Sequence, residues 1–195
     1  MKTKKIVLIL FIAVVIAQLF VPAKMILNNE DILNTGKIYK FKTAPIDPSD
    51  PFRGKYINLN FEENRFNYKK ENNWVRNEDI FVVINTNKDG FATITNVVKE
   101  KPLNNNVDFI EAKVQYIYTN ENDTHITIKY PFDRFYMEES KAKNAEDAYR
   151  EYLKDKNNIT YALVAIKNGQ TVLKDVFINE KNMKTIVEEI INENN

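Results

Sequence analysis

The chain of 195 residues carries 28 basic and 27 acidic side chains, for a net charge of +1, and 44% of its residues are hydrophobic. Charge this evenly balanced argues against a nucleic-acid surface, which needs a concentrated basic patch to displace counterions from phosphate. With no cysteine and a single histidine, His125, the composition excludes disulfides, thiolate metal sites, a Cys nucleophile and multi-His zinc sites.

Lys2, Lys4 and Lys5 form a basic cap before an apolar run over 6–21 that only Gln18 interrupts. The run is short for a spanning helix, which takes about 20 residues, and a basic cap also suits a secretory signal, with Val21-Pro22-Ala23 as a cleavage site. Apolar character continues, however, through Ala23, Met25, Ile26 and Leu27, and Ile32 and Leu33 keep helical spacing as far as Gly36. This pattern predicts an anchor helix over about 5–34, kinked at Pro22 and stopped by Gly36 as a C′ residue. The expected organisation is an anchor over 1–35 and a β-rich domain over 36–195. On either reading the positive-inside rule puts the N-terminus in the cytoplasm and the domain outside it.

After the anchor, 37–43 alternates with Tyr39 and Phe41 on one face, and a loop rich in Asp-Pro steps leads to a strand over 55–61. That strand places Ile57, Leu59 and Phe61 on one side and Asn58 and Asn60 on the other, beside Tyr56. Residues 62–79 read as a long polar loop containing Trp74. The apolar run 80–85 suits a strand buried on both faces; Asn87-Lys88-Asp89-Gly90 turns it into a partner over 91–98. A long amphipathic strand with one bulge is expected over 107–119, then a turn at 121–123 and a strand over 124–130. Ala145, Ala148, Tyr149, Tyr152 and Leu153 recur at helical spacing within 142–155. Strands over 160–167 and 171–178 meet at Asn168-Gly169, a strong hairpin signal, and Met183, Ile186, Val187 and Ile190 line one face of a closing helix. About eight strands with one or two helices make a mainly antiparallel α+β domain.

The stretch Pro45-Ile46-Asp47-Pro48-Ser49-Asp50-Pro51-Phe52-Arg53-Gly54-Lys55-Tyr56-Ile57-Asn58-Leu59-Asn60-Phe61 is the most constrained in the chain. It resembles the signature of the GDYXXLXY family of membrane-anchored bacterial proteins, whose pattern is Pro-Val-Asp-Pro-x-Asp-Pro-Phe-Arg-Gly-Asp-Tyr-x-x-Leu-x-Tyr. Here Lys55 replaces the Asp and Phe61 the final Tyr. The likeness extends to the N-terminal helix, the hairpin over 80–98 and Arg134-Phe135-Tyr136-Met137-Glu138. The resemblance implies a single-pass bacterial membrane protein whose C-terminal domain is periplasmic or extracellular, and a multi-pass membrane protein as its partner.

Pro48 and Pro51 stiffen the loop, Asp47 and Asp50 can close Asx turns, and Arg53 can reach back to either carboxylate. Pro48, Pro51, Phe52, Gly54 and Leu59 therefore read as structural, forming a corner that sets the strand. The other reading is a binding constellation of Asp47, Asp50, Arg53, Tyr56 and Glu138, serving a small-ligand module or a hydrolase. A calcium loop lacks its Asp-x-Asp-x-Asp-Gly spacing, and no Ser-Lys or Ser-His pair is evident. No catalytic set, metal site or cofactor is expected. The aromatic segment Tyr130, Phe132, Phe135 and Tyr136 is either core packing or a face for saccharide or peptide.

Overall fold

The computed structural model describes residues 2–44, 56–68, 73–104, 107–120, 124–136, 138, 141, 147 and 158–193. Its first element, α1 (Lys2–Thr35), is one helix of 34 residues with Pro22 inside it, about 51 Å long at 1.5 Å per residue. Lys4–Thr35 is long and apolar enough to cross a membrane, and its most apolar window is 0% buried. A hydrocarbon core takes about 20 residues, fewer than the 34 of α1.

The last turns of α1 are docked. Ile32 is 2% exposed. Lys167 Nζ donates to Asp31 Oδ2 at 2.6 Å and to Thr35 Oγ1 at 2.8 Å, and Asn28 Nδ2 donates to Gln170 Oε1 at 2.9 Å. The Lys167 ammonium holds the Asp31 carboxyl below its ordinary range. Gly36 ends the helix, its N–H donating to the Ile32 carbonyl at 2.8 Å. The glycine is needed for a different reason from the one its C′ position suggests, because Gly36 is not among the glycines of positive φ. A Cβ there would instead lie 2.4 Å from Ile32 O and 3.1 and 3.2 Å from the backbone O and N of Ile166. Close backbone approach, not left-handed geometry, selects glycine.

Strand β1 (Lys37–Ala44) starts at the next residue, so no linker separates α1 from the strands. Tyr39, Phe41 and Thr43 are buried on one face, as alternation predicts. The remaining strands are β2 (Tyr56–Asn58), β3 (Asn60–Phe61), β4 (Arg65–Asn67), β5 (Asp79–Thr86), β6 (Ala92–Val98), β7 (Phe109–Thr119), β8 (Thr124–Lys129), β9 (Arg134–Tyr136), β10 (Thr160–Lys167), β11 (Gln170–Ile178) and β12 (Lys181–Asn182), before helix α2 (Met183–Glu193). One five-stranded sheet runs β12-β11-β10-β1-β3, a second β4-β8-β7-β5-β6, and β2 and β9 form a two-stranded ribbon. Every ladder is antiparallel.

Among the described residues the eight expected strands become twelve, because 55–61 divides into β2 and β3 and three short strands are added. One of these, β4, lies in the segment read as a loop; its Phe66 packs against the core while Arg65 and Asn67 face solvent. Too short to show a period, it forms by pairing with β8. Nor is β5 buried on both faces: Ile80, Val82 and Ile84 are buried, whereas Phe81 and Val83 are half-buried. Of the helix expected over 142–155 only Asp147 is described, and it is helical and exposed; the turn at 121–123 lies outside the described residues.

Both hairpin signals hold. Gly90 has φ +84, and Asn87 Oδ1 accepts the N–H groups of Asp89 and Phe91. At the β10–β11 turn Asn168 and Gly169 have φ 53 and 89, as a two-residue type I′ connection requires. Its tip also bonds the two sheets together, because the Gly169 carbonyl accepts the Glu111 N–H at 2.9 Å. Asp108, just before β7, accepts from both Lys37 Nζ and Tyr39 OH at 2.6 Å. Burial pulls its pKa up, but those bonds outweigh burial and hold the carboxyl below its usual range. Asn182 caps α2 by accepting the Thr185 N–H at 2.8 Å, and Met183, Ile186 and Val187 are buried as predicted.

Candidate functional site

The signature strand is the point where the sheets exchange. β2 pairs with β9, setting Tyr56 opposite Tyr136, Ile57 opposite Phe135 and Asn58 opposite Arg134. Two residues later β3 pairs with β1, Thr43 opposite Phe61. Leu59 stands between, buried at 2% exposure, and its N–H donates to the Asp133 carbonyl at 2.8 Å. A single extended segment thereby stitches the β9 ribbon to the β1 sheet, with Ile57, Leu59 and Phe61 all facing the core.

Phe61 sits in an aromatic cluster with Phe41, Tyr130 and Phe132 at centroid distances of 5.8, 5.8 and 5.2 Å. The ring fills the place that the family pattern gives to tyrosine, and its face and edge contacts do not need the hydroxyl. Tyr130 is buried, its OH donating to the Glu63 carbonyl at 2.7 Å. Burial pushes its pKa up and keeps it neutral, so it is a structural donor and not a base. Of the aromatic segment, Tyr130, Phe132 and Phe135 are core, and Tyr136 alone is exposed, at 62%.

Of the proposed binding residues, Asp47, Asp50 and Arg53 lie outside the described residues, as do the structural Pro48, Pro51, Phe52 and Gly54. Of the other two, Tyr56 lies in the β2–β9 ribbon and Glu138 lies beyond its end. Tyr56 packs on Tyr136 at 5.4 Å between ring centroids, and Glu138 is exposed two residues beyond Tyr136. Arg134, which sequence reasoning did not select, places its guanidinium 4.9 Å from the Tyr56 ring centroid. A hydrogen bond with Tyr136, then the Tyr56 hydroxyl, stabilise its charge. The outer face of the ribbon is thus a cation held between two tyrosines.

A polar cleft of about 200 Å³ opens beside the same strand, lined by Asn58, Leu59, Asn60, Phe61, Asn64, Gln115, Ile128, Lys129, Tyr130 and Asp133. Alternation along 55–61 foretells Asn58 and Asn60 as a polar face. Gln115 arrives through the β7 bulge, where the register with β8 shifts between Val114 and Tyr116. Beyond the bulge both faces of β7 are exposed. Tyr116 and Tyr118, which strict alternation places with the buried Val114, are 54% and 48% exposed. Among the described residues, no group of three or more His, Asp or Glu side chains is arranged to hold a metal ion.

The chain matches no curated protein and no solved structure. The model of the GDYXXLXY protein family matches residues 18–176, from within α1 to β11. That span contains the docked end of α1, the sheet-exchanging signature strand and both sheets except β12 and the end of β11, and the chain belongs to the GDYXXLXY family.

Proposed function

We propose that this protein is a single-pass, membrane-anchored, non-enzymatic domain that binds a multi-pass membrane protein on the extracytoplasmic side. The observation that carries this reading is the junction between anchor and domain. α1 passes into β1 through one residue, Ile32 is buried, Lys167 ties down Asp31 and Thr35, and Gly36 presses on the Ile166 backbone. A domain tethered to gather soluble ligand works equally well on a flexible linker. Rigid mounting instead fixes which face points along the membrane plane, which favours docking against a neighbour in the same bilayer. The Tyr56–Arg134–Tyr136 ribbon offers the exposed aromatic and Arg groups that anchor such interfaces.

The chain lacks cysteine, so single-cysteine and photocrosslinking variants are clean probes. A crosslinker at Tyr136, activated in intact membranes, is expected to join the protein to one integral membrane protein of defined mass. The adduct should disappear with Arg134→Ala, while a crosslinker at Lys88 yields none. A protein that runs alone at its monomer mass in mild detergent, without a Tyr136 adduct, refutes the proposal. For topology, Asn87→Cys should react with a membrane-impermeant maleimide in intact cells; protection until lysis refutes the extracytoplasmic placement.

A further inference from the structure

We infer that the cleft beside the signature strand is a binding site for one neutral, polyhydroxylated ring, such as a sugar residue. Four carboxamides line it, from Asn58, Asn60, Asn64 and Gln115. Each presents donor and acceptor atoms side by side, the pairing that two adjacent hydroxyl groups satisfy. One cation, Lys129, and one carboxylate, Asp133, complete the polar lining. The lining therefore carries no charge surplus that would select an anion or a cation.

Among the described residues, no side-chain partner occupies the amides of Asn60, Asn64 or Gln115. These three residues line one recess, and their amides are available to hydrogen-bond water or ligand. Gln115 is the β7 bulge residue, and a bulge re-aims a side chain at some cost to the ladder. The apolar floor of Leu59, Phe61 and Ile128 is fixed in the core, and Asn58, Asn60, Gln115 and Lys129 stand on strands, with Asn64 and Asp133 in the connections beside them. At about 200 Å³ the recess admits a single ring and excludes a drug-sized or extended peptide ligand. This inference is independent of the membrane partner, since the cleft and the Tyr136 ribbon are tested by different variants.

The test uses the full chain in lipid nanodiscs, avoiding sugar-headed detergent, with methyl glucopyranoside and N-acetylglucosamine as probes in saturation-transfer NMR and calorimetry. Saturable binding is expected with a dissociation constant on the order of 1 mM, the strength open to one small ring. Gln115→Leu and Asn60→Ala should each weaken it about tenfold or more, and Tyr136→Ala should leave it unchanged. If Gln115→Leu fails to fold, the exposed Asn60→Ala carries the comparison. A linear tetrasaccharide should bind no tighter than the single ring. Absence of saturable binding, affinity unchanged by Asn60→Ala, or preference for glycine or glucuronate over the neutral sugars overturns the assignment.

Discussion

Replacing Gly36 by alanine tests the anchor junction with a single methyl group. The new Cβ would sit 2.4 Å from the Ile32 carbonyl and 3.1 and 3.2 Å from the Ile166 backbone. All three neighbours are main-chain atoms, which cannot move aside as a side chain tip can. Relief requires the last turn of α1 to open at Ile32 and its end to lift from β10. Overpacking of this kind costs about 1–3 kcal/mol. In a chain of this size each kcal/mol lowers Tm by about 2–4 °C, so Gly36→Ala should lower it by several degrees. Near-UV circular dichroism of full-length protein in nanodiscs reads the transition. Ile32→Ala, which empties a buried site on the same helix end, should cost about 2–5 kcal/mol alone. Because each change loosens the same contact, the pair should be non-additive by about 0.5 kcal/mol or more. By contrast, Gly90→Ala meets no atom within 4 Å and suffers only the strain of its φ of +84. Its effect should add independently to that of Ile32→Ala. An unchanged Tm for Gly36→Ala, or strict additivity with Ile32→Ala, would refute the tightly docked junction.

Phe41→Ala removes a ring that is 1% exposed and should destabilise by about 3–5 kcal/mol in equilibrium denaturation. Asn182→Ala deletes the α2 cap and should cost about 1 kcal/mol by the same measurement, with Asn182→Asp retaining most of the stability. The Asp108 carboxyl is held below its ordinary range by Lys37 and Tyr39 despite burial. Its contribution is therefore complete above the unfolded pKa and falls away as pH drops through the folded value, so Asp108→Asn should flatten the acid side of the stability profile. Asp175 has the opposite sign: burial raises its pKa, the fold favours the neutral form, and stability is lost as pH rises through the unfolded value toward the folded one. Asp175→Asn, keeping an acceptor for the Val176 N–H, should stabilise the protein at neutral pH in thermal unfolding.

Where local chemistry alone decides the structure, the sequence is a good guide. The apolar run and its continuation to Leu33 give α1, Asn168-Gly169 gives the hairpin, and the spacing of Met183, Ile186 and Val187 gives α2. What escaped depends on distant partners. Nothing in 55–61 says that β2 and β3 serve different sheets; β9 on one side and β1 on the other impose that division. Alternation assigns Tyr116 and Tyr118 to the buried face, yet beyond the bulge at Gln115 both faces of β7 are exposed. The position of that bulge is set by pairing with β8, which no local pattern in β7 encodes. The cleft was half legible: Asn58 and Asn60 follow from period two, whereas Asn64, Gln115, Lys129 and Asp133 come from separate segments that only tertiary packing gathers. Gly36 was placed correctly as a stop, but the Ile166 backbone that requires it lies far along the chain.

The most direct measurement of the central claim is a spin–spin distance between the membrane segment and the β domain. Paired labels at Lys24→Cys on α1 and Asn96→Cys on β6, in a chain free of other cysteines, report how the anchor and domain are oriented. With the full chain in nanodiscs, one narrow distance distribution is expected, broadening when Gly36→Ala is added. A broad distribution in the otherwise unchanged protein would mean that the domain swivels on its anchor, and would contradict the rigid mounting on which the proposed function rests.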